Sequence, residues 1–220
     1  IDTAMSRYID DGRIAGIQAT VARRGKIAYS QCFGEAEIEQ GRAMAPDTIF
    51  RIYSMSKPIT SVAAMMLQEE GGFRLDEPIG RYIPWFRDMS VLARADEDGT
   101  MELVPASPEM KIWHLFTHTS GLSYGFDEND PIDRLYQKHM SHYVDDDAPM
   151  SLKGFVERLA TLPLAHHPGT AFRYSFSTDV LGYLVQVVSG MPFEDFLNER
   201  IFEPLGMPDT GFYVPESKWE

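Results

Sequence analysis

The sequence predicts a mixed α/β fold in which a small antiparallel strand region precedes a helix-rich stretch. Two observations carry this expectation. Near the start, two apolar and β-branched runs flank the turn-forming pair Arg24-Gly25. Beyond the middle fifties, apolar residues recur at the three- and four-residue spacing of an amphipathic helix.

The elements follow in order. Ile1, Ala4, Met5, Tyr8 and Ile9 share one helical face, and Gly12 follows, so the chain is expected to open with a helix. Ile17-Gln18-Ala19-Thr20-Val21-Ala22 and residues 26–33 read as a β-hairpin, with Gly34 and Gly41 marking its end. Residues 1–50 are therefore assigned to an N-terminal helix and hairpin of a sheet region. Residues 51–220 are assigned to a helical lobe.

In that lobe Ile59, Val62, Ala63, Met66 and Leu67 form an apolar stripe that stops at Gly71-Gly72. Further helices are expected over 112–116, 152–159, 180–188 and 193–201, with Gly190 suited to a helix stop and Pro192 to a first turn. Two polar stretches, 94–109 and 126–147, read as surface insertions, the second carrying Asp145-Asp146-Asp147. A single hairpin is marginal without more sheet or covering helices.

Composition narrows the function. A net charge of −13 over 220 residues argues against a nucleic-acid partner. No apolar run approaches the roughly 18 residues of a membrane span. One cysteine, Cys32, excludes an internal disulfide framework and a multi-cysteine zinc site. No signal peptide precedes the first helix, which favours the cytoplasm over the periplasm. Ile1 is not an initiator methionine, however, and an earlier segment is expected, so the compartment is not legible.

The chemistry centres on Ser54-Met55-Ser56-Lys57-Pro58. Lys57 has a serine three residues before it, and on a helix that spacing puts both side chains on one face. Proline is tolerated only in a helix's opening turn, so Pro58 places Ser54 close to a helix start. Free N–H groups and the positive dipole end there favour an oxyanion. A neighbouring lysine can stabilise the alkoxide or take its proton.

Phe50-Arg51-Ile52-Tyr53-Ser54-Met55-Ser56-Lys57-Pro58-Ile59-Thr60 resembles the nucleophile segment of the serine β-lactamase-like superfamily. That group takes in class C β-lactamases, D-alanyl-D-alanine carboxypeptidases and the family VIII carboxylesterases. Further matches follow in order: Leu115-Phe116-Thr117-His118-Thr119-Ser120-Gly121-Leu122, Pro168-Gly169, Tyr174-Ser175-Phe176-Ser177 and Pro204-Leu205-Gly206-Met207. The resemblance implies an antiparallel sheet with flanking helices beside an all-helical lobe. It also implies Ser54 as acyl-accepting nucleophile, Lys57 as its proton partner and Tyr174 as proton shuttle. Tyr174 would project from a loop ahead of a helix that Ser177 or Asp179 could cap. Tyr53 and Phe176 are expected to face the substrate. No metal or organic cofactor is implied.

Two departures matter. Penicillin-directed relatives carry Tyr-x-Asn, whereas position 176 here is Phe176, which cannot bond a substrate amide. The motif is therefore closest to the esterases. The superfamily's third motif, whose strand completes the oxyanion hole, has no match before Trp219-Glu220. The remaining sheet strands are expected from a missing segment or a second chain.

Other constellations read as bland. Gly121-Leu122-Ser123-Tyr124-Gly125 fits a nucleophile elbow but follows a helix rather than the strand an elbow needs. His139 and His142 lack a third ligand in a metal-binding pattern, and His118, His166 and His167 read as structural. The acidic stretch 127–147 reads as a solvated loop, with a pocket lid as the sharper alternative.

The expected function is ester or related acyl hydrolysis through an acyl-enzyme on Ser54, acting on a small molecule. Whether Lys57 or Tyr174 is the base stays open, because such a pair titrates together. Two alternatives stand: a β-lactamase or D-Ala-type peptidase, and a non-catalytic acyl-ligand-binding relative or inactive fragment.

Overall fold

The computed structural model describes residues 1–96, 100–140 and 150–218. The chain divides into two units, Ile1–Ile52 and Tyr53–Glu220.

In the first unit, helix α1 (Asp2–Asp10) precedes strands β1 (Gly16–Arg23), β2 (Lys26–Glu37) and β3 (Arg42–Ala43). They form one antiparallel sheet in the order β1-β2-β3. The β1–β2 turn is Arg24-Gly25, both with positive φ (51° and 71°). Two successive left-handed residues twist a two-residue loop in the same sense as its strands, and Gly25 adopts that conformation freely. The hairpin outruns its expected end: β2 passes through Gly34 to Glu37 and then pairs with β3.

The second unit is built around helix α6 (Ser177–Ser189), which packs against α2 (Ser56–Glu69), α3 (Ile112–Phe116), α5 (Leu152–Leu159) and α7 (Phe193–Leu197). Val180, Leu181, Leu184 and Val185 of α6 are fully buried. Each such side chain contributes roughly 1.5–3 kcal/mol of burial. α6 ends where expected, at Gly190, whose φ of 72° is the left-handed cap that closes helices. Ala63, Ala64 and Leu67 supply the buried stripe of α2, and Pro58 lies in its first turn.

Three expectations for this unit are corrected. Residues 94–109 are not simply a surface insertion, because Ser90–Ala95 (β4) and Met101–Pro105 (β5) form an antiparallel hairpin. Val91 is buried and bridges to Leu164, so the hairpin is anchored to the helical core and the lobe is not all-helical. Residues 127–147 are not one solvated loop either. Pro131–Met140 is helix α4, with Ile132, Tyr136 and Met140 buried at four-residue intervals. Asp145-Asp146-Asp147 and His142 lie outside the described residues. Finally, neither Ser177 nor Asp179 caps α6: its N-cap is Phe176, with no side-chain cap bond.

Candidate active site

Ser54 sits in a single 3₁₀ turn, Tyr53–Met55, that leads directly into α2. Tyr53 has a φ of 44°, a left-handed conformation that costs an aromatic residue energy and sharpens the bend before Ser54. Lys57 Nζ donates to Ser54 Oγ at 3.3 Å, as the one-turn spacing requires. On Ser54's other contact, Tyr174 Oη lies 2.8 Å from the same Oγ. The ammonium also stands 4.8 Å from the centre of the Tyr174 ring and 5.6 Å from that of Tyr124. A positive charge over two aromatic faces is attracted by their π-electrons.

Tyr174 comes from irregular chain just ahead of α6, and its neighbours hold it. The Arg173 guanidinium pairs with Asp133 at 2.8 Å and Asp130 at 3.0 Å, and its Nε donates to Ser123 Oγ at 2.8 Å. The N–H of Phe176 donates to the Ser123 carbonyl at 3.2 Å. Burial pushes the Tyr174 phenol up, but hydrogen bonds from Lys57 and Ser54 and the Lys57 charge outweigh it, so its pKa lies below the ordinary 10.0.

Ser54 and Lys57 open onto a cavity of about 650 Å³, within the range of small-molecule sites. Tyr53, Tyr124, Leu152, Phe193 and Phe212 give it apolar and aromatic walls, and Asp179 of α6 and Glu194 of α7 add carboxylates. Burial raises the Asp179 pKa to about 6 against the opposing pull of Lys57.

The structure thus brings Ser54, Lys57, Tyr174 and Tyr53 together. Phe176 takes a different place: it is 4% exposed and stacks on Tyr124 at 4.2 Å, behind the wall instead of on it. Ser123, the elbow-like serine, is 1% exposed and hydrogen-bonds the Asp133 carboxylate, which makes it part of the Arg173 anchorage. Gly121 in the same motif has φ 89°, and a Cβ there would fall 2.2 Å from the His166 carbonyl, so its glycine answers to packing. Among the described residues, no group of three or more His, Cys, Asp or Glu is placed to hold a metal, and no helix is long and apolar enough to cross a membrane. His139 accepts from Arg158 at 2.6 Å.

Sequence reasoning missed Tyr124 and Asp179 as parts of the pocket. Asp179 lies in the first turn of α6, five residues after Tyr174, and a carboxylate so close to the tyrosine motif was the available signal.

The Beta-lactamase family model matches residues 1–220. The chain belongs to the beta-lactamase family. Within that family it is 40% identical over 206 residues to Protein Rv1367c of Mycobacterium tuberculosis, covering 93% of this chain and 49% of that one. It is 36% identical over 218 residues to Esterase EstB of Burkholderia gladioli, covering 98% and 52%. Among solved structures, EstCE1, described as a hydrolase with promiscuous acyltransferase activity, superposes with a TM-score of 0.80 at 34% identity, covering 98% of this chain and 53% of its own. The chain therefore spans about half the length of the family members it matches. The likeness to EstCE1 carries the expected β-lactamase/transpeptidase-like fold, with antiparallel strands and surrounding helices.

Proposed function

We propose that the protein is a serine hydrolase that cleaves small carboxylic esters through an acyl-enzyme on Ser54. The observation that carries this reading is the convergence of Lys57 Nζ and Tyr174 Oη on one serine oxygen, at 3.3 and 2.8 Å. Esterase EstB and EstCE1 support the substrate class by their names.

In the proposed reaction Tyr174, as phenolate, takes the Ser54 hydroxyl proton while Oγ attacks the ester carbonyl. Lys57 stays protonated and offsets the charge that passes from the phenolate to the developing oxyanion. Tyr174 then returns the proton to the alkoxy oxygen, the C–O bond breaks and the alcohol leaves. Water attacks the acyl-enzyme with its proton going to Tyr174, Tyr174 passes that proton to Ser54 Oγ as the Oγ–acyl bond breaks, and the carboxylic acid departs. Tyr174 is assigned the base because Lys57 and Ser54 hydrogen bonds and the Lys57 charge favour its phenolate. The Ser54 N–H, at the opening of α2, supplies one oxyanion donor. A second is proposed to come from sheet residues outside these 220, supplied by a further segment or chain.

Transfer of the acyl group to an alcohol instead of water uses the same steps, and the EstCE1 description supports it as a secondary activity. The test compares hydrolysis of a short-chain nitrophenyl ester and of nitrocefin by the protein and by Ser54→Ala. Ester turnover that Ser54→Ala abolishes, with nitrocefin poorly used, is the expected result. Preferred turnover of nitrocefin would move the assignment to a β-lactamase.

A further inference from the structure

We infer that His118 is the positioning residue for Tyr174, gripping the chain on both sides of it, and that a buried row of serine hydroxyls fixes the imidazole for that task. The inference deepens the proposed function and rests on Tyr174 acting at Ser54.

His118 follows α3, and its own backbone is held left-handed at φ 53°. In that conformation its carbonyl and its ring reach the same strand of chain. The carbonyl accepts from the Arg173 N–H at 2.8 Å, and Nδ1 accepts from the Ser175 N–H at 3.2 Å. The peptide N–H groups immediately before and after those of Tyr174 therefore both end on one residue. The imidazole also lies against the phenol, with ring centres 4.8 Å apart and planes 26° from parallel.

An Nδ1 that accepts an N–H carries no hydrogen, so the neutral ring is protonated on Nε2. The serines behind it are compatible with the same tautomer. Ser120, Ser175 and Ser177 are fully buried. The Leu122 N–H donates to Ser120 Oγ at 3.2 Å, Ser120 and Ser177 hydroxyls meet at 2.8 Å, Ser177 and Ser175 at 2.8 Å, and Ser175 Oγ lies 3.3 Å from His118 Nδ1. The Ser177 N–H donates to Ser175 Oγ at 3.4 Å. One assignment accommodates every contact: Ser120 donates to Ser177, Ser177 to Ser175, and Ser175 to Nδ1. Every buried hydroxyl is then satisfied, and the row ends on the acceptor that holds Tyr174. Burial, and then the Lys57 charge, keep the His118 pKa below 6.5, so the ring is neutral at pH 7.

The consequence for catalysis is geometric. Nδ1 is committed to Ser175, so His118 acts through the placement of Tyr174 Oη. A displacement of about 1 Å in such a group costs about 100-fold in rate.

The test uses three variants of the intact protein. His118→Gly keeps the left-handed backbone and removes both ring and acceptor. His118→Asn tolerates the same backbone and presents Oδ1 where Nδ1 stands, and His118→Phe keeps a ring without an acceptor. For His118→Gly, kcat is expected to fall about 100-fold with KM nearly unchanged, and Asn is expected to recover at least about tenfold while Phe does not. In parallel, NMR of ring-labelled tyrosine, with Tyr174 assigned through Tyr174→Phe, reads the phenol directly. Tyr174 is expected to titrate below 10.0 in the parent and to move up in His118→Gly.

A His118→Gly protein with parental kcat and an unmoved Tyr174 titration overturns the inference. If the parent turns over no ester, the hydrolase reading fails, and the titration alone decides the role of His118. If melting shows that His118→Gly does not fold, the Asn and Phe pair decides: equal kcat in both overturns the inference.

Discussion

Tyr174 Oη and Ser54 Oγ, 120 positions apart in the chain, meet at 2.8 Å, and Lys57 approaches the same oxygen from one helical turn away. This contact joins the opening of α2 to the loop ahead of α6, the two helices that pack together at the centre of the second unit. The predictions below follow from it and from what surrounds it.

Lys57 favours the Tyr174 phenolate, so removing it should raise the Tyr174 pKa. If the phenolate is the base, the rate rises with pH and levels off above that pKa. In Lys57→Ala the ascending limb is expected to shift up toward pH 10.0 and to reach a lower plateau. A pH–rate profile of kcat/KM checks this, and a limb at an unchanged pH would exclude Tyr174 as the titrating base.

Tyr174→Phe keeps the ring against His118 and removes only the oxygen. It is expected to lower kcat by about 10²–10⁴, the usual share of a general acid–base group, with little change in melting temperature. Steady-state kinetics beside a thermal melt separates that result from simple unfolding.

Asp179 carries a folded pKa raised to about 6, with burial as the main cause. Its charged form is disfavoured in the folded state, so it penalises stability above pH 6 and does nothing below its ordinary value of 3.8, where both states are protonated. Asp179→Asn should therefore gain about 3 kcal/mol at pH 8 and almost nothing near pH 3.5. Denaturant melts at the two pH values measure the difference; an equal change at both would point to packing instead.

The anchorage of Tyr174 has the opposite sign. Burial raises the Asp133 pKa, but hydrogen bonds from Ser123 and Arg173 bring it below 3.8. Its contribution is fully present above 3.8 and fades as pH falls through the folded value. Asp133→Ala leaves Arg173 one partner short, still paired with Asp130, and is expected to cost about 1–3 kcal/mol. Urea denaturation at pH 7 checks the magnitude, and the loss should shrink in acid.

The parts of the fold and site that were legible in the sequence share a physical reason. The Ser54–Lys57 spacing and the α2 stripe are local, and helical geometry alone brings those residues together. Helix α4 was hidden because Asp127, Glu128, Asn129, Asp130 and Asp133 dominate the composition there, although Ile132, Tyr136 and Met140 already form a buried stripe. The β4–β5 hairpin was hidden by the charged residues that link its strands, while Val91 alone signals its anchoring. His118 reads as structural from sequence, and in the structure it is half-buried and bonded to the backbone of Arg173 and Ser175. That its bonds end on either side of Tyr174 is a contact across more than fifty residues, which no local pattern encodes.

The most direct test of the central claim is peptide-level mass spectrometry of the protein after treatment with a fluorophosphonate. The account predicts one adduct, on Ser54, that is strongly reduced in Lys57→Ala and Tyr174→Phe. An unmodified Ser54 in the intact, folded protein, or an adduct at another serine, would contradict it.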